Sequence, residues 1–188
     1  MLQPRFMVAL LCGTSAFALM TFVMTGAPLA MVAEGISRDH AVLGIQWHVL
    51  AMFAPSFFTG HLIARFGKEK IVATGMAILA ACAVVALIGI TLAHFYIALV
   101  LLGIGWNFGF IGSTTMLSQA YRPEEASTAQ GLNEPFVFGS MAVASISSGV
   151  LLNTLGWQSI NILVLPIVTA TLALLAWGDY RQRKLRAQ

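Results

Sequence analysis

Apolar residues run along this chain in long stretches separated by short polar punctuation. Six of those stretches reach the ~20 residues that a bilayer core requires: 6–32, 41–64, 71–93, 95–119, 127–152 and 157–178. The separators carry turn and helix-start chemistry. Glu34 to His40 joins the first two stretches, Thr91 to His94 makes a tight turn, and Asn153 to Trp157 closes the last pair around Gly156. Arg65 to Lys70 and Tyr121 to Ala126 lie at the other ends of the stretches. In Arg122-Pro123-Glu124-Glu125 the proline pre-sets φ, and two carboxylates face the positive end of a helix dipole. The pattern predicts an all-α membrane protein of six transmembrane helices in one domain, 1–188, with no soluble domain or linker.

Polarity varies between the stretches, and it does so with a helical period. The third and sixth are almost uniformly apolar, as suits a lipid-facing periphery. The first carries Thr14, Thr21 and Thr25, whose spacings of seven and four put them on one helix face. The fourth carries Asn107, Thr114 and Ser118 at the same spacings, with Gly105, Gly109 and Gly112 on roughly the opposite side. Taken singly, each of these polar groups reads as a bond to a neighbouring helix. Their recurrence in the first and fourth stretches, and absence from the third and sixth, predicts two similar three-helix repeats.

Composition and charge agree with this. Hydrophobic residues make up 59% of the chain and charged ones only 9%, against about 25% in a soluble domain, which leaves too little polar surface for solubility. Of ten Lys and Arg, nine fall on the side of the N-terminus when the stretches are folded back and forth: Arg5, Arg65, Lys68, Lys70, Arg122 and four in the tail from Arg181. Only Arg38 lies opposite, so both termini are expected in the cytoplasm. The net charge of +3 then reports topology rather than nucleic-acid binding, and the basic tail is a place for contact with anionic lipid. Cys12 and Cys82 sit inside apolar stretches as packing residues, implying neither disulfide nor metal site. The run from Phe6 is longer than the ~7–15 residues of a signal-peptide core, so the first span is expected to be retained.

The segment Gly60-His61-Leu62-Ile63-Ala64-Arg65-Phe66-Gly67-Lys68-Glu69-Lys70 resembles the signature loop of the major facilitator superfamily, G-x-L-a-D-R-x-G-r-k-x. Gly60, Leu62, Arg65, Gly67 and Lys68 match; Ile63 replaces the usual small residue, and Ala64 stands where that family has Asp. The resemblance extends over the whole chain and implies the C-terminal six-helix half of a twelve-helix transporter in a bacterial inner membrane. It further implies that the first helix of each three-helix unit lines a central cavity, the second meets the other half, and the third supports from outside. On that reading Thr14, Thr21, Thr25, Asn107 and Thr114 are cavity candidates.

Two ionisable groups remain. His48 shares a helix face with Met52, Ser56 and Thr59, and a histidine in lipid must face protein or water; it reads as a coupling or half-interface residue, or as a neutral packing group. Glu134 precedes Pro135, which can kink a helix, and with Asn133 it is placed either at a proton-coupling site or at the interface. An intramembrane serine protease would need a nucleophile and a histidine on adjacent helices. The sixth stretch has no histidine, and no metal or phosphate-loop motif occurs. No enzyme and no cofactor are expected. The function expected is secondary transport of a small-molecule substrate by alternating access, as a homodimer or with a separate N-terminal half. The alternative is a truncated, non-transporting remnant or accessory membrane protein.

Overall fold

The computed structural model describes residues 3–186; the side chains of Arg183, Leu185 and Arg186, part of the basic tail, lie outside the described residues. It is helical, with no strand among the described residues. Helix α1 (Pro4–Ala33) begins with proline in its first turn, where a missing N–H costs nothing, and ends in a left-handed Gly35 at φ 81°. The Ile36 N–H bonds back to the Met31 carbonyl at 2.9 Å, closing the last turn as a Schellman motif does. Ser37 caps α2 (Arg38–Phe53), accepting from the His40 N–H, with Asp39 in the first turn at the positive end of the dipole.

The second apolar stretch, 41–64, expected from sequence as one span, is built of two helices, α2 and α3 (Ser56–Phe66), bent by 42° at Ala54–Pro55. Pro55 supplies no N–H and crowds the preceding turn, so the helical ladder cannot run through it. Gly67 at φ 91° turns the chain from α3 into α4 (Lys68–Ile88), a conformation that a side chain would strain. Then come α5 (Leu92–Ser118), a short 3-10 turn Pro123–Glu125, and α6 (Ala126–Arg186). The Arg122 N–H donates to the Glu125 carboxylate at 3.0 Å, fixing the entry to α6. Pro135 leaves α6 helical. Gly156, at φ 79° and ψ 178°, breaks it into arms 126–155 and 157–186.

By length and composition four helical stretches are able to cross a membrane, or five if the bent α2–α3 pair counts as one. The last of them runs from Pro123 to Gln182, 60 residues, far beyond the ~20 that one crossing takes. Both of its arms lie along α1. A methyl at Gly26 would meet Ser148 and Ile160, one at Gly178 would meet Val8, and Ala129 packs with Phe6 to Cys12 and Leu175. Arm 126–155 therefore runs with α1 and arm 157–186 against it.

The centre of the molecule is α5, flanked by α4, α1 and α2. Its contact with α4 is made through glycines. A methyl on Gly75 would fall 2.4 Å from the Gly109 backbone nitrogen and 2.8 Å from the Gly105 carbonyl, and one on Gly112 would meet Val72 at 2.7 Å. Small residues let two backbones come this close, and van der Waals contact then holds them where lipid offers no hydrophobic drive. Leu79, Leu99, Leu102, Leu19 and Val23 fill the core beside this seam.

Candidate functional site

The polar stripe of α1 contains a ring. Thr14, Phe17, Thr21 and Thr25 follow each other at spacings of three, four and four, one face of a helix, with Phe17 near its midpoint. α5 runs antiparallel to α1: Gly13 approaches Ser113 while Ala16 approaches Gly109. This brings Phe17 against Trp106 (centroids 5.5 Å, edge-on) and Phe110 (5.0 Å, edge-on). Trp106 and Phe110, one turn apart on α5, lie nearly parallel at 5.2 Å and 13°. Phe53, the last residue of α2, sets its edge on Trp106 at 6.3 Å. Trp106 is buried, Phe17 and Phe110 are half-buried, and Phe53 is 58% exposed, so the cluster opens at the α2 end. Among the described residues, the buried hydroxyls of Thr14 and Thr21 and the indole N–H of Trp106 have no hydrogen-bond partner.

Beside the rings, Asn107 secures the break between α2 and α3. Its amide N–H groups donate to the Met52 carbonyl and the Ser56 hydroxyl, both at 2.7 Å, and its carbonyl accepts from the Thr59 hydroxyl at 2.6 Å. The same Thr59 hydroxyl lies 2.7 Å from the Pro55 carbonyl, so its one proton is shared between the two oxygens. The Met52 carbonyl lies at the interrupted turn, and inside a membrane a backbone group freed by a proline must be satisfied by neighbours. Asn107 is fully buried and turned to α2–α3, so its spacing with Thr114 does not place the two in one cavity. Thr114 donates to the Ile111 carbonyl of its own helix at 2.9 Å, and Thr25 is half-buried on α1.

His48 lies elsewhere. It is fully buried between α2 and α5, its Nδ1 2.9 Å from the Leu99 carbonyl and its Nε2 without a partner among the described residues, so it does not stand on an outward face of α2. Glu134 is exposed and Asn133 half-buried on arm 126–155, away from the ring cluster. In the signature segment, Gly60 is exposed and Leu62 half-buried. The Arg65 guanidinium sits 5.2 Å over the Phe66 ring, and the Gly67 N–H closes α3 on the Ile63 carbonyl at 2.9 Å. Lys68 reaches across to donate to the Gln119 side-chain carbonyl at the end of α5. Arg5, Lys68, Glu69, Gln119, Asp179 and Gln182 line a polar cleft of ≈ 350 Å³ there.

Sequence reasoning missed the four rings. Their signal was present: Phe17 falls inside the threonine stripe, and Trp106 and Phe110 precede Thr114 at i, i+4 and i+8. Phe53 joins them only because the chain breaks beside it.

Long apolar helices around a mid-length break, with rings bordered by hydroxyls, define a multi-pass membrane protein with a candidate solute site. Residues 6–188 match the Major Facilitator Superfamily. The chain belongs to that family of transporters. It is 57% identical over 170 residues to the riboflavin transporter RfnT of Brucella anthropi, a match covering 90% of this chain and 43% of that protein. It is 31% identical to the MFS-type transporter YddS of Bacillus subtilis (80% of this chain, 36% of that protein) and 27% identical to the methylenomycin A resistance protein of the same organism (83% and 34%). The chain thus spans less than half the length of these relatives.

Proposed function

We propose that this chain is one six-helix half of a secondary transporter that carries a small planar solute, riboflavin or a close analogue, across the bacterial inner membrane by alternating access. The six crossings are α1, the bent α2–α3 pair and α4 as one three-helix repeat, then α5 and the two arms of α6 as the second. Both termini, with Arg65, Lys68 and Arg122, face the cytoplasm, as the one-sided charge supports. The observation that carries the reading is the convergence, near the middle of α1 and α5, of a broken helix with a ring and hydroxyl cluster. Secondary transporters bind cargo near the bilayer midplane beside discontinuous helices. The identity to a riboflavin transporter supplies the cargo.

Halves of such proteins are parallel repeats about an axis along the membrane normal, so the partner of this half is an N-terminal unit, on the same polypeptide or another, or a second copy of this chain. The exposed apolar faces of α2–α3 (Leu50, Phe57, Phe58) and arm 126–155 (Phe136, Val143, Ile146) are where it docks, with Glu134 on the same arm as a coupling carboxylate.

The test is growth of a riboflavin-auxotrophic bacterium on low riboflavin. Cells make the chain alone, or the whole chain fused behind the N-terminal half of the Brucella anthropi transporter. The fusion supports growth and accumulates labelled riboflavin. Correct insertion without uptake by either form would overturn the cargo, and failure of the fusion with every flavin would favour the non-transporting reading.

A further inference from the structure

Resting on the proposed flavin cargo, we infer that Trp106 and Phe110, walled by Phe17 and Phe53, form a stacking subsite for a planar heteroaromatic ring. The geometry differs from ordinary core packing in three ways. First, Trp106 and Phe110 are stacked almost parallel (13°) at 5.2 Å, one face of each spent on the other, while Phe17 meets both and Phe53 meets Trp106 edge-on at 73° to 78°, so an incoming ring extends the stack from an outer face rather than entering between the two. Parallel faces suit a flat ring, because offset stacking is favourable for any planar π-system and is indifferent to its substituents.

Second, the cluster opens outward through one ring. Phe53 is 58% exposed where Trp106 is 7% exposed, and Phe53 ends α2 at the Pro55 break. A ring entering from this side reaches Trp106 by displacing Phe53, whose backbone carries no continuous helix beyond it. Third, the border is polar and unpaired. The hydroxyls of Thr14 and Thr21, one turn on either side of Phe17, and the Trp106 indole N–H are buried without partners among the described residues. Three donors beside the ring cluster match a ring edged with carbonyl and ring-nitrogen acceptors. An aliphatic solute would leave both the rings and the donors unused. Gly105 and Gly112 meet α4 on another side of α5, so the rings are not a general property of this helix.

The assay uses the fusion described above in lipid nanodiscs. The probes are riboflavin and lumiflavin, which is the same ring with a methyl in place of the sugar-alcohol chain. Stacking on an indole quenches flavin fluorescence, so the concentration at half-quench reads the subsite itself. Both probes are quenched by the wild type. Phe110→Leu raises the half-quench concentration about tenfold or more, as expected for the loss of one ring stack. Trp106→Leu and Trp106→Phe remove the quenching indole and lose the quench. Trp177→Leu, an exposed indole on arm 157–186, changes nothing. Each variant is accepted only if it elutes as a single species, and the conservative Trp106→Phe and the half-buried Phe110 position keep the test alive if Trp106→Leu misfolds. Wild-type half-quench in both Phe110→Leu and the Trp106 variants, or no quench of either flavin by the wild type, overturns the subsite. If riboflavin uptake proceeds with unchanged KM in these variants, the subsite falls and the cargo stands. If lumiflavin is quenched through Trp106 but riboflavin is never taken up, the cargo falls and the subsite stands.

Discussion

Along α5, the face turned to α4 and the face turned to α1 and the α2–α3 break follow opposite rules. Towards α4 there are Gly105 and Gly112 meeting Gly75, Leu79 and Val72, with Gly109 shared between Gly75 and Met76 of α4 and Ala16 of α1. Towards α1 and the break there are Trp106, Phe110 and Asn107, with aromatic rings, a three-bond amide and unpaired donors. The first arrangement leaves nothing free to move and nothing free to bind. The second retains polar groups that lower stability, since each unpaired donor in a dry interior costs free energy that an apolar residue would not. A sequence keeps such groups where something other than the fold uses them. On the proposed function, the α4 side holds the bundle and the α1 side meets the solute.

The strongest way to break this division is at the seam. Gly75→Ala places a carbon 2.4 Å from a backbone nitrogen that cannot rotate away, and overpacking of that kind costs about 3 kcal/mol or more. The expected outcome is a large fall in melting temperature in detergent and loss of much of the monodisperse protein. Gly139→Ala, with nothing within 4 Å, changes stability by about 0.5 kcal/mol or less. Equal behaviour of the two variants would deny the seam its structural role.

Next in size is the break. Asn107→Ala removes three hydrogen bonds of 2.6–2.7 Å and leaves the Met52 carbonyl and the Ser56 hydroxyl to find new partners. At the modest worth of such bonds in membranes, the loss is about 2 kcal/mol. It also releases the 42° bend, read as faster protease cutting near Pro55 in the purified protein. A variant of unchanged melting temperature and cutting rate would show that Pro55 alone sets the break.

The smallest effect sharpens the contrast most. Thr21→Val is nearly isosteric and removes a hydroxyl that bonds nothing among the described residues, so stability stays within about 0.5 kcal/mol. Flavin half-quench in the fusion should nevertheless rise about fivefold, the worth of one hydrogen bond to the ring. A variant that loses stability and keeps affinity would return Thr21 to helix packing.

Much of the helical layout was legible because lipid imposes it: helix ends fall within a few residues of the apolar stretches, as with 4–33 for 6–32 and 92–118 for 95–119. The glycine face of α5 was legible too, from spacing alone. The break at Pro55 was not, because Phe53-Ala54-Pro55-Ser56 stays apolar enough to read as a continuous span, and the residue that satisfies its freed groups, Asn107, is distant in sequence. That same partner explains why Asn107 left the polar stripe. Periodicity gives an angle on a helix and not the neighbour waiting at that angle. His48 shows the same limit: its face was readable, but whether α5 or a second half covered it depended on Gly103, where a methyl would lie 2.6 Å from the His48 carbonyl. The rings were overlooked because an aromatic in a membrane helix is ordinary until three helices bring four of them together.

The division between the two faces of α5 is tested most directly by the rise in melting temperature that saturating riboflavin gives the nanodisc-held fusion, compared between Phe110→Leu on one face and Gly105→Ala on the other. Because a ligand stabilises only in proportion to its binding of the folded state, the rise is read relative to each variant's own ligand-free melting temperature. The account predicts that Gly105→Ala melts earlier and keeps the full rise, while Phe110→Leu loses it. A rise that survives in Phe110→Leu and vanishes in Gly105→Ala would contradict it.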